Sequence, residues 1–230
     1  MSGFRARLGL SVHVAPSVVG ALLIANIAVY ILIAIVGGFL LVMNGEVVRG
    51  VASIVVPDYS GALFLFHRRV LPVALNGYEV LSKGMWWELL TSMFVHANIL
   101  HITFNMLALA SIGGTVEAMM GRKKLLTAYF LGGLLGGLLT IVMNPYVYSV
   151  GASGALFSVI GMLAMYEYAR YGSTRALSWA VMIFVVSSFG FGGVVNVLAH
   201  VGGLAVGLVL GLMYGLRPRR YRGYYVTWSW

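Results

Sequence analysis

Six long apolar stretches are the feature that most constrains what this chain can fold into. Each is close to 20 residues long or longer, and a helix of ~20 residues rising 1.5 Å per residue crosses the ~30 Å hydrocarbon core of a bilayer. Of the 230 residues, 60% are apolar and only 9% are charged, far from the balance of soluble domains. We therefore predict an all-α polytopic membrane protein whose six spans are Val18–Met43, Ala97–Val116, Leu125–Met143, Gly151–Ala169, Ala176–Gly193 and Val194–Leu216.

The basic residues are sorted by loop, and this predicts how the spans are oriented. Eleven of the fifteen Lys and Arg residues lie before the first span, between alternate spans or after the last one. Loops rich in Lys and Arg stay in the cytoplasm, so we expect both termini to be cytoplasmic and the protein to be a multi-pass protein of a prokaryotic cell membrane. A net charge of +9 can indicate nucleic-acid binding, but a nucleic-acid patch does not require basic residues to be sorted by loop. We therefore expect the lipid bilayer, not nucleic acid, as the partner.

The chain divides into a cytoplasmic segment 1–17, a membrane domain 18–216 and a basic, aromatic tail 217–230. Within the membrane domain, 44–86 form a long outer loop. Its apolar stretch Leu63–Phe66 favours a lid or brace lying partly in the membrane interface over a fully solvated loop. The sequence contains no cysteine, which excludes disulfides, thiolate nucleophiles and Cys-ligated metals. Nothing in the sequence sets an expectation for the oligomeric state.

Four polar side chains within the spans are functional candidates, because such groups are costly in a membrane. They are His101, Asn105, Ser153 and His200. Seventeen residues separate three of them from the first basic residue at the cytoplasmic end of the same span: Asn105 from Arg122, Ser153 from Arg170, and His200 from Arg217. At 1.5 Å per residue each lies ~26 Å above that end. We therefore predict that they share one level near the outer surface and meet in one pocket.

These residue types suit acyl transfer. A serine such as Ser153 becomes a good nucleophile when a base accepts its proton, and burial favours the neutral, accepting form of His200. Asn105 and His101, four residues apart on one helix face, and the amide of Ser153 at a helix start can donate to a developing oxyanion. Gly151 and Gly154 allow a tight helix entry and close approach of a substrate. The alternative is that Ser153 caps or packs a helix.

Histidines also bind metals, but the spacing here does not favour it. His96 and His101 are five residues apart, which places them about 140° apart on a helix, whereas helical zinc motifs use a spacing of four. We expect no metal and no cofactor. His96 is predicted to line the pocket, accept a hydrogen bond or cap the helix. Glu117 is expected to pair with a loop base or a helix terminus.

Four motifs, in order and spacing, resemble those of the rhomboid intramembrane serine proteases. They are His96, His101 and Asn105 in HANILHITFN; Gly151, Ser153 and Gly154 in GASG; His200, Gly203 and Gly207 in AHVGGLAVG; and Glu117 in GGTVEAMMG.

The resemblance implies a six-helix fold and hydrolysis of peptide bonds in or near transmembrane segments of other membrane proteins. Ser153 would be the nucleophile and His200 the general base of a dyad without an acidic member. His101, Asn105 and the Ser153 amide would form the oxyanion hole. Auxiliary pocket positions would be His96, Gly151, Gly154 and Phe157. Gly203 and Gly207 would pack the sixth span against the fourth.

Two positions depart from the family pattern. The family often has Trp-Arg before the second span, whereas this chain has Trp87-Glu88, which leaves the contacts of the outer loop open. Phe157 stands where the family often has tyrosine, so a ring can stack on His200 without a hydroxyl group. Two rival interpretations remain: a catalytically silent relative that binds membrane clients, and a transporter with an intramembrane proton relay.

Overall fold

A computed structural model describes residues 17–43, 73–189 and 195–217. Helices dominate these ranges, and the protein is an all-α polytopic membrane protein, as predicted. Four of the described helical segments are long and apolar enough to cross a membrane, and Arg175–Ser187 is a shorter apolar helix. The elements are α1 (Val18–Met43), β1 (Leu75–Asn76), α2 (Gly77–Lys83), α3 (Glu88–Thr91), α4 (Ile99–Ala108), α5 (Gly114–Met120), α6 (Arg122–Met143), β2 (Tyr148–Ser149), α7 (Ser153–Tyr171), α8 (Arg175–Phe189) and α9 (Val197–Gly215).

These helices are consistent with the six predicted spans, with ends shifted by a few residues. The second span begins at Ile99 because the Asn98 side chain caps it, accepting from the His101 N–H. A π-helical turn, Leu109–Gly113, joins α4 to α5 within that span. The fourth span, α7, continues to Tyr171, and Gly172 at φ 67° ends it in the left-handed conformation. Local caps therefore set the boundaries that hydrophobicity leaves open.

Helices α7 and α9 approach at backbone contact. A Cβ added to Gly203 would collide with the carbonyl oxygen of Gly154, and one added to Gly207 would collide with that of Ser158. Small residues allow this approach in membrane bundles. A Cβ on Gly132 of α6 would likewise collide with Ser158. The glycine contacts thus hold α6, α7 and α9 together as one three-helix unit.

Strands β1 and β2, far apart in the sequence, form a two-stranded antiparallel sheet, and a buried acid contacts β1. Leu75 pairs with Ser149, and Asn76 pairs with Tyr148. Glu88 is fully buried, and its Oε2 accepts a hydrogen bond from the backbone N–H of Asn76 at 2.9 Å. Glu88 therefore anchors strand β1. Burial raises its pKa to about 7, the Glu79 carboxylate adds to the rise, and the Asn76 hydrogen bond opposes it.

Glu117 holds the beginning of α1 against the end of α5. Its carboxylate accepts hydrogen bonds from the Ser17 hydroxyl and from the backbone N–H groups of Val18 and Val19, each at 2.9 Å. The Arg122 guanidinium lies 3.4 Å from the same carboxylate. A carboxylate suits the free N–H groups and the dipole of a helix start. The prediction that Glu117 pairs with a helix terminus is confirmed, and its basic partner Arg122 is the first residue of α6.

Three predictions concern residues outside the described ranges. They are the cytoplasmic segment before Ser17, the interfacial stretch Leu63–Phe66 of the outer loop, and the aromatic tail beyond Arg217.

Candidate active site

Ser153 and His200 come together where two helices begin. Ser153 is the first residue of α7, and His200 lies in the first turn of α9. The Ser153 Oγ atom is 2.8 Å from His200 Nε2, and the His200 side chain is buried. With the neutral imidazole protonated on Nδ1, the serine hydroxyl donates to Nε2. The N-cap position of α7 belongs to Ala152 and has no side-chain cap, so the Ser153 hydroxyl is not a helix cap.

Gly151 is required by both its backbone and its surroundings. Its φ of 122° lies in a region that side-chain-bearing residues rarely adopt. A Cβ there would lie 2.7 Å from Cε1 and 2.8 Å from Nε2 of His101, and 3.7 Å from Ser153 Oγ. The edge of the His101 ring and the serine hydroxyl thus border the same small space. The Gly151 N–H donates to the carbonyl of Ser92 at 2.9 Å, which fixes the loop.

His101 is held in one tautomer by its own loop. The backbone N–H of Ala97 donates to His101 Nδ1 at 3.4 Å, so the proton of the neutral ring lies on Nε2. That N–H borders the space above Gly151 and can serve as a donor there. His96, buried beside it, accepts from the backbone N–H of Ala152 through Nε2 at 3.4 Å. The His96 and His101 rings pack edge to face, with their centroids 5.1 Å apart.

Asn105 lies one helical turn below His101 on the same face of α4. It is buried, and its Nδ2 donates to the carbonyl of His101 at 2.7 Å. The amide of Ser153, as the first residue of α7, has no partner within its own helix. The His101 ring edge and the Ser153 N–H therefore lie beside the serine hydroxyl, whereas the printed contact of the Asn105 amide is with the carbonyl of His101.

Phe157 and Gly154 complete the wall of the site on α7. The Phe157 ring packs against the His200 ring with centroids 4.4 Å apart and planes tilted by 40°. A Cβ on Gly154 would lie 3.1 Å from the carbonyl oxygen of Ala199. Phe157 thus restricts the imidazole by ring contact, and Gly154 allows the start of α9 to approach.

One residue at the site was missed by the sequence analysis. Asn196 caps α9 four residues before His200, with its side chain accepting from the Ala199 N–H. The available signal was an amide in the otherwise apolar sequence VVNVLAH. Separately, within the described ranges no three His, Asp or Glu side chains lie close enough to bind a metal ion together.

A family model described as "Rhomboid domain" matches residues 83–217. Because this match covers more than half of the chain, the protein belongs to the rhomboid family.

Named proteases are among its relatives. Rhomboid protease GluP of Bacillus subtilis (strain 168) is 35% identical over 142 residues, which cover 60% of this chain and 28% of that protein. Rhomboid-like protease 3 of Toxoplasma gondii is 36% identical over 143 residues, covering 58% and 53%. Putative rhomboid protease YdcA of Bacillus subtilis (strain 168) is 30% identical over 159 residues, covering 64% and 77%. The chain spans less than two thirds of the length of the first two.

Proposed function

We propose that this protein is an intramembrane serine protease that hydrolyses peptide bonds in or near transmembrane segments of other membrane proteins. The observation that carries the proposal is the 2.8 Å contact between Ser153 Oγ and His200 Nε2, with the edge of the His101 ring bordering the same space. Membership of the rhomboid family and relatives named as proteases support the same reaction class.

In the proposed acylation step, Ser153 Oγ attacks the carbonyl carbon of the scissile bond while His200 Nε2 takes the hydroxyl proton. The carbonyl oxygen becomes an oxyanion that the His101 Nε2–H, the Asn105 amide and the Ser153 N–H stabilise. The tetrahedral intermediate collapses, the C–N bond breaks, and His200 returns its proton to the leaving amine. The product of this half-reaction is an acyl-enzyme on Ser153 and a free amine.

In the deacylation step, water attacks the acyl-enzyme and His200 takes one of its protons. The second intermediate collapses to release a carboxylic acid, and the proton returns to Ser153. Water has to reach a site bordered by spanning helices, and both dyad residues lie at helix starts. We place these starts at the outer side of the membrane, on the sorting of basic residues, with both termini in the cytoplasm. Reporter fusions at each terminus test that orientation.

A fluorophosphonate probe tests the nucleophile directly. The purified wild type should be labelled, and it should cleave a panel of model transmembrane substrates. Ser153→Ala and His200→Ala should lose both activities. Ser111→Ala is the matched control, since that serine hydroxyl donates to the carbonyl of Leu107 in the second span, away from the dyad.

Two results would contradict the protease. Labelling that persists in Ser153→Ala would place the reactive group elsewhere. If the folded wild type is not labelled but still binds transmembrane proteins, the result would favour the interpretation as a catalytically silent relative that binds membrane clients.

A further inference from the structure

One polar side chain outside the dyad contacts three separate elements. Asn196 precedes α9, and its Oδ1 accepts a hydrogen bond from the backbone N–H of Ala199 at 3.2 Å. Its Nδ2 donates to Ser149 Oγ at 2.7 Å and to Thr140 Oγ1 at 2.9 Å. A single amide therefore joins the start of α9 to strand β2 and to helix α6.

The contact between Asn196 and Ser149 joins the same two segments as the dyad, four residues before each dyad member. Ser149 lies four residues before Ser153, and Asn196 lies four residues before His200. The backbone N–H of His200 donates to the Asn196 carbonyl at 3.3 Å, so the base is also tied to this residue through the main chain. A shift of Asn196 relative to Ser149 would therefore move the base relative to the nucleophile.

The third partner gives the Asn196 amide a fixed reference in the bundle. Thr140 is buried, with 1% of its surface exposed, and its hydroxyl donates to the Gly136 carbonyl at 3.0 Å. The Thr140 hydroxyl proton therefore points toward Gly136, and a lone pair of Thr140 Oγ1 is left to accept the N–H of Asn196 Nδ2. Where water is scarce, losing such a donor leaves the acceptor unsatisfied, which is costly. Asn196 is therefore held on α6 by an acceptor whose own orientation is already set.

We propose that Asn196 is a positioning residue that holds His200 at hydrogen-bond distance from Ser153. It acts through the start of α9 and does not touch the reacting atoms. The inference rests on the proposed protease for its effect on rate, but the placement of α9 that it describes can be measured without any activity.

The first test separates the capping role of Asn196 from its contacts with β2 and α6. Asn196→Ser keeps a side-chain oxygen that can cap α9 but is too short to reach Ser149 and Thr140. The rate of fluorophosphonate labelling of Ser153 should fall on the order of 10- to 100-fold, because small misplacements of reacting groups have effects of this size. The kcat for a model substrate, normalised to the fraction of folded protein, should fall while KM stays the same. A general loss of fold would lower the apparent kcat only in proportion to that folded fraction.

Two further variants sharpen this test. Asn144→Ser is the matched control, since Asn144 is exposed at the end of α6, and it should label at the wild-type rate. Ser149→Ala should slow labelling less than Asn196→Ser does. It should also add nothing to Asn196→Ser in the double variant, because both remove the same contact.

The second test uses the absence of cysteine from the chain. A Cβ on Gly154 would lie 3.6 Å from the Cβ of Ala199, within the range that disulfides span. In the variant carrying Gly154→Cys and Ala199→Cys, oxidation should form one cross-link between the starts of α7 and α9. Adding Asn196→Ser should slow this cross-linking, whereas adding Asn144→Ser should not.

The outcomes are distinguishable. If Asn196→Ser changes neither the labelling rate of the wild type nor the cross-linking rate of the double-cysteine variant, the positioning role is overturned and the protease is left intact. If the wild type is not labelled but Asn196→Ser slows cross-linking in the double-cysteine variant, the protease is overturned and the role of Asn196 in placing α9 is supported. If Asn196→Ser does not fold, Ser149→Ala carries the test, and an unchanged labelling rate in that variant would overturn the proposal.

Discussion

The two ends of the contact between α7 and α9 are held by different kinds of interaction. At the end where both helices begin, side chains fix the geometry: Ser153 with His200, and Asn196 with Ser149. Further along, the helices meet backbone to backbone, with Gly207 against the carbonyl of Ser158. The first region adds polar side-chain contacts to the close approach at Gly154 and Gly203, whereas the second depends on the absence of side chains alone. We therefore expect substitutions at the first end to affect rate, and substitutions in the second to affect stability.

The largest effect is expected next to the polar end, at His101 of α4, whose ring borders Gly151. Replacing the imidazole in His101→Ala removes one proposed oxyanion donor, which should lower kcat about 10²- to 10³-fold. The midpoint of thermal unfolding in detergent should change little. The Phe104→Ala variant, which changes an exposed side chain on the same helix, is the control and should keep its activity. Unchanged kcat in His101→Ala would remove this side chain from the mechanism.

The next effect belongs to the glycine contact. Gly207→Ala adds a methyl group where the Ser158 carbonyl already lies, and should lower the free energy of unfolding by about 2–3 kcal/mol. Gly114→Ala makes the same chemical change at a helical position with no atom within 4 Å of the added Cβ, and should cause no loss. Equal stability of the two variants would show that α7 and α9 can separate without cost.

A smaller effect concerns the contact of Glu88 with strand β1 and depends on pH. The Glu88 pKa is raised from 4.5 to about 7 in the folded protein, so the folded state holds its proton more tightly than the unfolded state. Stability should therefore fall as the pH rises from about 5 to 8, by on the order of 1–2 kcal/mol from this group. Glu88→Gln keeps an oxygen for the Asn76 N–H and should flatten this slope. An unfolding curve with the same pH dependence in both proteins would contradict the assignment.

The smallest effect is expected within the first span. The Asn26 amide lies 3.4 Å from the Tyr129 hydroxyl, a long hydrogen bond between two buried side chains. Tyr129→Phe should lower the free energy of unfolding by only ~0.5 kcal/mol, as is typical of such bonds in membrane bundles. A double-mutant cycle with Asn26→Leu measures the coupling, and a value well above ~1.5 kcal/mol would show that this contact matters more than its length implies.

The sequence predicts the bundle well because crossing a bilayer imposes length and hydrophobicity on each span. It also singled out Ser153 and His200, since polar side chains are rare in apolar spans and each of these lies seventeen residues from the first basic residue at the end of its span. The structure supplies what depends on neighbours in space. Glu88 was noted only as a charge reversal, and its partner is a backbone N–H of strand β1. Asn196 was overlooked because its role depends on which elements lie beside α9.

The carboxylate of Glu117 has a consequence for how the protein is made. It caps a helix that precedes it by about 100 residues, since its partners are Ser17, Val18 and Val19. A ribosome delivers α1 to the bilayer long before Glu117 has been synthesised. The first helix can therefore dock through this contact only after the second span has been made.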